Sequence, residues 1–517
     1  MARTRLGVAA PNVVATAAAI ALAESGGTSV DAAIAATLVA MVTEPGVVSL
    51  GGGAFVTVGQ PGADAVTIDG NVEMPGRSAP PERFGQGVRE ITTSYGGGLT
   101  TTVGHGSVAT PGALAALELA HRRYGRAPWS AVVEPAVQAA RTGSPLGPAA
   151  AEYLALVHDL IFGADPASHA AVHHPDGTPL VTGDLVRVAD LAESLELIGR
   201  EGADVFYRGD LARALTDDMA ANGGLLGADD LATYEPAVRK SLSVDVHGWH
   251  LSTNPPPAIG GAVLGAMLLL FGDRPVTRWT TGERARVAVI MAAVLGERSR
   301  RLDTADDRVA AADLLLDEIR RAGPAWLRTS ASTAHVSAVD GDGLACAITT
   351  SAGYGSGVMT PGTGVWLNNC LGEPELNRAG LHGWPPGTRL PSNMAPTVGR
   401  HRDGSALAIG SPGADRITSA LFQVLAGLTG GQPLQAAVDA PRVHARLDSD
   451  GRLALDAEED AVPGLADALA GAGVVLPVRP MGALSMYFGG VGVVVLDPAG
   501  GLTAAGDPRR EGAAAVV

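Results

Sequence analysis

Lysine is almost missing from this chain: among 37 Lys and Arg residues only Lys240 is a lysine, a bias that records a GC-rich coding sequence more than any need for guanidinium groups. Against those cations stand 53 Asp and Glu, giving a formal net charge of −16 and a pI near 5.2. Phosphate binding needs basic stripes, and none is found, which excludes nucleic acid as a partner. Two cysteines, Cys346 and Cys370, make neither a disulfide framework nor a metal cluster. No run reaches the roughly 18 apolar residues of a membrane helix. Asn12 and Glu24 interrupt the apolar stretch that follows the N-terminus, and no cleavage site of a secretory signal is evident. The expectation is a soluble, cytoplasmic protein with no membrane partner.

Aromatics make up only 4% of residues, so the core has to be built from closely packed Ala, Val and Leu. With 46% hydrophobic and 17% charged residues, bulk disorder is excluded. Familiar catalytic signatures are also missing. There is no G-x-S-x-G elbow, no H-E-x-x-H, no Walker A loop and no C-x-x-C pair. The glycines at 51–53 and 353–357 do not form G-x-G-x-x-G between a strand and a helix. No cofactor and no metal are expected.

Length allows about three domains at roughly 150 residues each, but layered α/β enzymes reach this size as one unit. Residues 8–42 carry two Ala-rich helical patterns broken at Gly26-Gly27-Thr28, with Ser29 or Asp31 as N-cap. The glycines at 51–53 feed an alternating strand through Val58, and 107–160 and 186–240 read as helices. Val244–Ser252 alternates as one strand and stops at Asn254-Pro255-Pro256-Pro257. From 330 onward short strands dominate: His335–Val339, Leu344–Thr350, Ala406–Ile409, Leu453–Leu455 and Val491–Leu496. An α-rich first part and a β-rich second part predict a layered sheet with helices outside it.

The segment Ser332-Thr333-Ala334-His335-Val336-Ser337-Ala338-Val339-Asp340 precedes an Asp-Gly turn and another strand. It resembles the segment around the catalytic threonine of the γ-glutamyltransferase family. Further landmarks follow in the family's order: Glu44-Pro45, Gly51-Gly52-Gly53, Thr110-Pro111-Gly112, Tyr124-Gly125-Arg126, Asn222-Gly223-Gly224, Asn254-Pro255-Pro256-Pro257, Asn368-Asn369 and Gly410-Ser411-Pro412-Gly413. The resemblance covers nearly the whole chain. It implies a four-layer αββα fold of the N-terminal-nucleophile hydrolases, made as a precursor and cut between Ser332 and Thr333. Residues 1–332 would then be a large chain and residues 333–517 a small chain, paired as a heterodimer and together forming one domain.

The chemistry suits the residue. A hydroxyl is a weak nucleophile without a base, and a freed α-amine on the same residue supplies one. Its ordinary pKa, about 7.7–8.0, lies near the working pH of a general base. By the resemblance, Ser351 takes the place of a second threonine that hydrogen-bonds the nucleophile. Gly413 and Ala414 occupy the Gly-Gly oxyanion position, where backbone N–H groups stabilise the tetrahedral intermediate. Cys370, Glu373, Ser392 and Asn393 fall at substrate-binding positions. His335 is expected to make a structural hydrogen bond.

The chain departs from the family where the substrate's glutamate is held. An arginine that clamps the α-carboxylate is replaced by Val72, which has no fork to offer, and Arg77 is the nearest substitute in sequence. Cys370 stands where glutamine is usual, and Ser392-Asn393 where Ser-Ser is usual. The expectation is a self-processing hydrolase of a small metabolite, cleaving an amide or C–C bond, similar to homologues of 4-alkyl-L-proline biosynthesis in natural-product pathways. An ordinary glutathione hydrolase and an uncut, inactive binding homologue are the rival readings. The purified protein is expected to run as two bands, the smaller beginning at Thr333 on N-terminal sequencing; a single intact chain after prolonged incubation would rule out self-processing.

Overall fold

The structure, a computed structural model, describes residues 2–93, 98–303, 305–322, 334–374, 376–377, 379–447 and 452–517. Two antiparallel sheets face each other. The first runs, edge to edge, Ala513–Val516, Leu6–Ala10, Ala334–Asp340, Ala345–Ser351, Gly53–Gly59, Val66–Gly70 and Ala237–Lys240. The second runs Leu502–Ala505, Gly492–Leu496, Ala406–Gly410, Thr397–His401, Trp249–Thr253 and Leu242–Val246.

Small side chains let the sheets approach. Ala9, Ala345 and Ala347 from one sheet meet Ala406, Ala408 and Val494 from the other. Helices Val13–Glu24, Ser29–Thr43 and Ala113–Tyr124 cover the outer face of the first sheet. Gly260–Phe271 and Ile417–Thr429 cover the second, with Thr281–Glu297 packed against Gly260–Phe271, completing four layers. A fully buried sheet reads as a continuous apolar run, which is why Gly53–Gly59 is buried along its whole length instead of alternating.

Several sequence expectations need correction. Residues 6–10 form a strand, because pairing with both Ala334–Asp340 and Ala513–Val516 outweighs the helical preference of alanine. The second helix is capped by Thr28, whose hydroxyl accepts from the Asp31 N–H while Asp31 accepts from the Thr28 N–H, a capping box. Residues 242–253 are a hairpin, not one strand; His247 and Gly248 both take positive φ, 47° and 88°, as a tight two-residue turn requires. The first part is not purely helical nor the second purely β. Strands from residues 6–70 enter the first sheet, and Ile417–Thr429 is a helix within the supposed β half.

The chain's end is anchored by buried charges. Asp507 accepts from Arg442 Nη2 at 2.5 Å and from Arg509 Nη1 at 3.2 Å, while Glu458 accepts from Arg509 Nε at 2.8 Å. Burial and the neighbouring Arg509 push the Arg442 guanidinium down to about 10, so the two carboxylates are what keep both arginines charged. Removing one member leaves uncompensated charge inside the fold, a loss of about 3–5 kcal/mol. Asp507→Ala is therefore expected to lower the unfolding free energy by about that amount in urea titration; a change below about 1 kcal/mol would show that the network is not the anchor described.

Candidate active site

Where the strands Leu6–Ala10, Ala334–Asp340 and Ala345–Ser351 reach one end of the first sheet, a cleft opens between helix Pro148–Val157 and the C-terminal segment. Its empty space, mouth included, is about 920 Å3. Glu44, Tyr153, His335, Ser351, Glu373 and Arg510 supply its polar lining, and Pro412, Met486 and Val47 much of its apolar lining. The buried anchor at Asp507 sits three residues before Arg510 and so places that guanidinium at the wall.

His335 is structural, as its environment demands. Thr349 Oγ1 lies 2.9 Å from its Nδ1 and Ser337 Oγ 2.6 Å from its Nε2. Ser337 in turn donates to the Gly492 carbonyl at 3.1 Å, so it accepts from Nε2–H, and Thr349 donates to Nδ1. Burial pushes the imidazole down to about 3, which keeps it neutral and unable to act as a base at neutral pH. The ring fits only because Gly410 faces it: a Cβ there would stand 2.1 Å from Nδ1.

Ser351 closes its strand, with the Gly353 N–H donating to its Oγ at 3.0 Å. The register pairs Ala334 with Thr350 and Ser351 with Gly53. Glu373 is carried on a loop that Asn368 and Asn369 fix in place. Asn368 Nδ2 donates to the carbonyls of Gly51 and Ala109, and Asn369 Oδ1 accepts from the Tyr354 N–H at 2.6 Å. Across the cleft, Tyr153 donates to the Tyr354 carbonyl at 2.6 Å.

Pro412 leads into Gly413 and Ala414, with φ of 131° and 53°. A Cβ at Gly413 would lie 2.6 Å from Gly489 Cα, so that position requires glycine. Ala414 takes a left-handed conformation with its Cβ accommodated, a strain of order 1 kcal/mol that the buried surroundings hold in place. Both residues precede helix Ile417–Thr429, whose N-terminal end favours negative charge.

Other sequence-derived candidates lie away from the cleft lining. Cys370 belongs to an apolar cluster with Val72, Met74 and Leu390; burial first, then Glu373, raises its thiol well above 9.0, which makes it an unreactive filler. Ser392 and Asn393 are buried where Ile259 and Gly260 start the helix Gly260–Phe271. Arg77 pairs with Glu73 at 3.2 Å and Asp230 at 3.5 Å. Ser332 and Thr333 fall outside the described residues. Sequence reasoning missed Tyr153, Met486 and Arg510, and gave Glu44 no role beyond that of a landmark. The Asp507-Pro508-Arg509-Arg510 run was the available signal for Arg510.

Facing sheets sandwiched by helices, with a cleft at the head of the central strands, define an N-terminal-nucleophile hydrolase fold. A family model described as Gamma-glutamyltranspeptidase matches residues 15–517, and the chain belongs to that family of enzymes. It is 30% identical to the glutathione hydrolase proenzyme of Escherichia coli K12, covering 97% of this chain and 90% of that protein. It is 31% identical to the acylase ACY 1 proenzyme of Pseudomonas sp. V22, covering 96% and 91%. Among solved structures, cephalosporin acylase from Bacillus halodurans superposes with a TM-score of 0.79 at 23% identity over 99% of this chain and 96% of that one. LmbA2991 superposes with a TM-score of 0.80 at 22% identity, covering 99% and 98%. At these identities the two structures speak to the fold.

Glu44 is a cleft carboxyl whose titration burial displaces. Burial raises its carboxyl from 4.5 to about 7, although Asn12 Nδ2 donates to Oε1 at 2.7 Å and Arg510 pulls the value down. The folded state therefore holds a proton that the unfolded chain releases near 4.5. The stability that Glu44 contributes therefore falls as pH rises from 4.5 through about 7 and levels off above it. Glu44→Gln is expected to flatten that fall when unfolding is measured across the window; an unchanged slope would mean that Glu44 titrates normally.

Proposed function

We propose that this protein is a self-processing N-terminal-threonine hydrolase that acts in the cytoplasm on a small metabolite other than a γ-glutamyl compound, cleaving an amide or C–C bond in natural-product biosynthesis. Maturation and turnover share one nucleophile. The Thr333 hydroxyl attacks the Ser332 carbonyl and shifts that acyl group from nitrogen to oxygen. Water opens the ester, leaving the Ser332 carboxylate on the large chain and a free amine on Thr333. The two chains stay together as a heterodimer.

In turnover the same hydroxyl attacks the substrate carbonyl while the Thr333 amine takes its proton. The oxyanion is met by the N–H groups of Gly413 and Ala414. Collapse expels the leaving group, which takes the proton from the amine, and water then hydrolyses the ester on Thr333. What supports this reading is that the strand Ala334–Asp340 begins at the cleft, beside Ser351 and the Pro412 turn.

The observation favouring a different substrate is Val72, 2% exposed inside an apolar cluster where the family places a carboxylate clamp. Arg77 does not compensate, because Glu73 and Asp230 already hold it. The charged groups at the cleft are instead Glu44, Glu373 and Arg510, a different arrangement from a glutamate grip. The relatives named acylases make amide cleavage a natural first test.

Losing one charge-assisted contact to a carboxylate is worth about 1.5–3 kcal/mol, or about 10–100-fold in kcat/KM. The protein is accordingly expected to hydrolyse γ-glutamyl-4-nitroanilide at least about 10-fold less efficiently than the Escherichia coli relative assayed beside it, with Thr333→Ala as the inactive blank. Glutathione hydrolysis at the relative's rate would overturn the substrate claim and restore the ordinary family role. Screening acylated amines and oxo-acid precursors for release of an amine or of a shortened carbon skeleton then separates C–N from C–C cleavage.

A further inference from the structure

Helix Pro148–Val157, which lends Ala149, Ala150 and Tyr153 to the cleft, runs into a wide π-type turn at His158–Phe162. Neighbouring residues of a regular helix point about 100° apart, so two of them seldom aim at one place. Here His158 and Asp159 do. His158 Nδ1 lies 3.3 Å from Asp159 Oδ1, and both face His173, which directly follows the helix Pro166–Val172. His158 Nδ1 is 2.9 Å from His173 Nε2, and His173 Nε2 is 3.8 Å from Asp159 Oδ1.

We propose that His158, Asp159 and His173 form a binding site for a divalent transition-metal ion of the Zn2+ type. With metal–ligand bonds of about 2.0–2.2 Å, tetrahedral geometry places ligand atoms about 3.3–3.6 Å apart. The three observed separations, 2.9, 3.3 and 3.8 Å, bracket that range. Two imidazoles and a carboxylate are an ordinary donor set for such an ion.

The surroundings supply an independent argument. His173 Nδ1 lies 2.9 Å from the His169 carbonyl, which can only accept, so Nδ1 carries the proton and Nε2 presents a lone pair toward His158 and Asp159. A metal-bound histidine characteristically donates its other ring N–H in this way. The His169 ring stacks on His173 with centroids 3.7 Å apart and planes within 11°, fixing the orientation of the ligand ring.

Access is also present. The His173 side chain is 1% exposed, whereas Asp159 is 74% exposed, so the site opens at the surface and leaves a position for water. A bound ion would tie the π-type turn to the following helix and so brace the element that carries Tyr153. This role is structural and does not depend on the reaction proposed above. Its readout is metal binding, whether or not the substrate reading holds.

Tag-free protein, dialysed against a chelator and then against chelator-free buffer, would be titrated with zinc sulfate by calorimetry. Wild type is expected to bind one equivalent and to melt at a higher temperature with zinc. Asp159→Asn and His158→Gln, at the rim where folding is least at risk, are expected to weaken binding by at least about 10–100-fold and to abolish the melting shift. His173→Ala tests the inner ligand. Absence of a stoichiometric wild-type site, or equal affinity in the two rim variants, would overturn the proposal.

Discussion

Everything at the cleft depends on the strand Ala334–Asp340 being hydrogen-bonded on both sides. Leu6–Ala10 fixes one edge and Ala345–Ser351 the other. A one-residue slip in either pairing would turn every side chain to the opposite face and move His335 out of its hydrogen bonds. A further pairing, of Ala345–Ser351 with Gly53–Gly59, sets Ser351 beside Gly53, and the strand Ala334–Asp340 brings His335 to the cleft. Packing enforces it from the other sheet, because the His335 ring is accommodated only against the bare Cα of Gly410.

The cleft walls come from distant parts of the chain, each held by its own polar device. Asn368 and Asn369 pin the loop of Glu373 to backbone at residues 51, 102, 109 and 354. The Arg442–Asp507–Arg509–Glu458 network pins the segment ending in Arg510. Both devices pair buried polar groups with one another or with backbone, Arg442 Nε excepted, and both are specific enough to position a side chain. The cleft therefore keeps ionisable groups of both signs at defined places, and the apolar cluster around Val72 and Cys370 is not part of its lining.

Much of this was legible in the sequence. The strand around His335, its partner through Thr350 and the glycine turn at 51–53 were marked by patterning that local physics dictates, while the Pro412-Gly413 segment was marked only by the family resemblance. The small-residue interior followed from a shortage of aromatics. What could not be read was set by contacts between remote segments. Leu6–Ala10 is alanine-rich and locally indistinguishable from a helix, and becomes a strand only because two partners flank it. Arg510 reaches the cleft through a buried charge network of which the Asp507-Pro508-Arg509-Arg510 run shows only one side, and Tyr153 reaches it through the placing of a helix, which leaves no local signature. The convergence of His158 and Asp159 on His173 likewise follows from a π-type turn with no recognisable spacing.

The central claim is that one residue cuts the chain and then works as its nucleophile. The direct measurement is the order of the cutting reaction. Uncut precursor, unfolded in urea and refolded by dilution over a wide range of protein concentrations, would be followed by gel for appearance of the small chain. Intramolecular attack by Thr333 on Ser332 predicts a first-order rate constant that does not change with concentration. A rate that climbs with concentration, or cutting that occurs only when cell extract is added, would contradict the account.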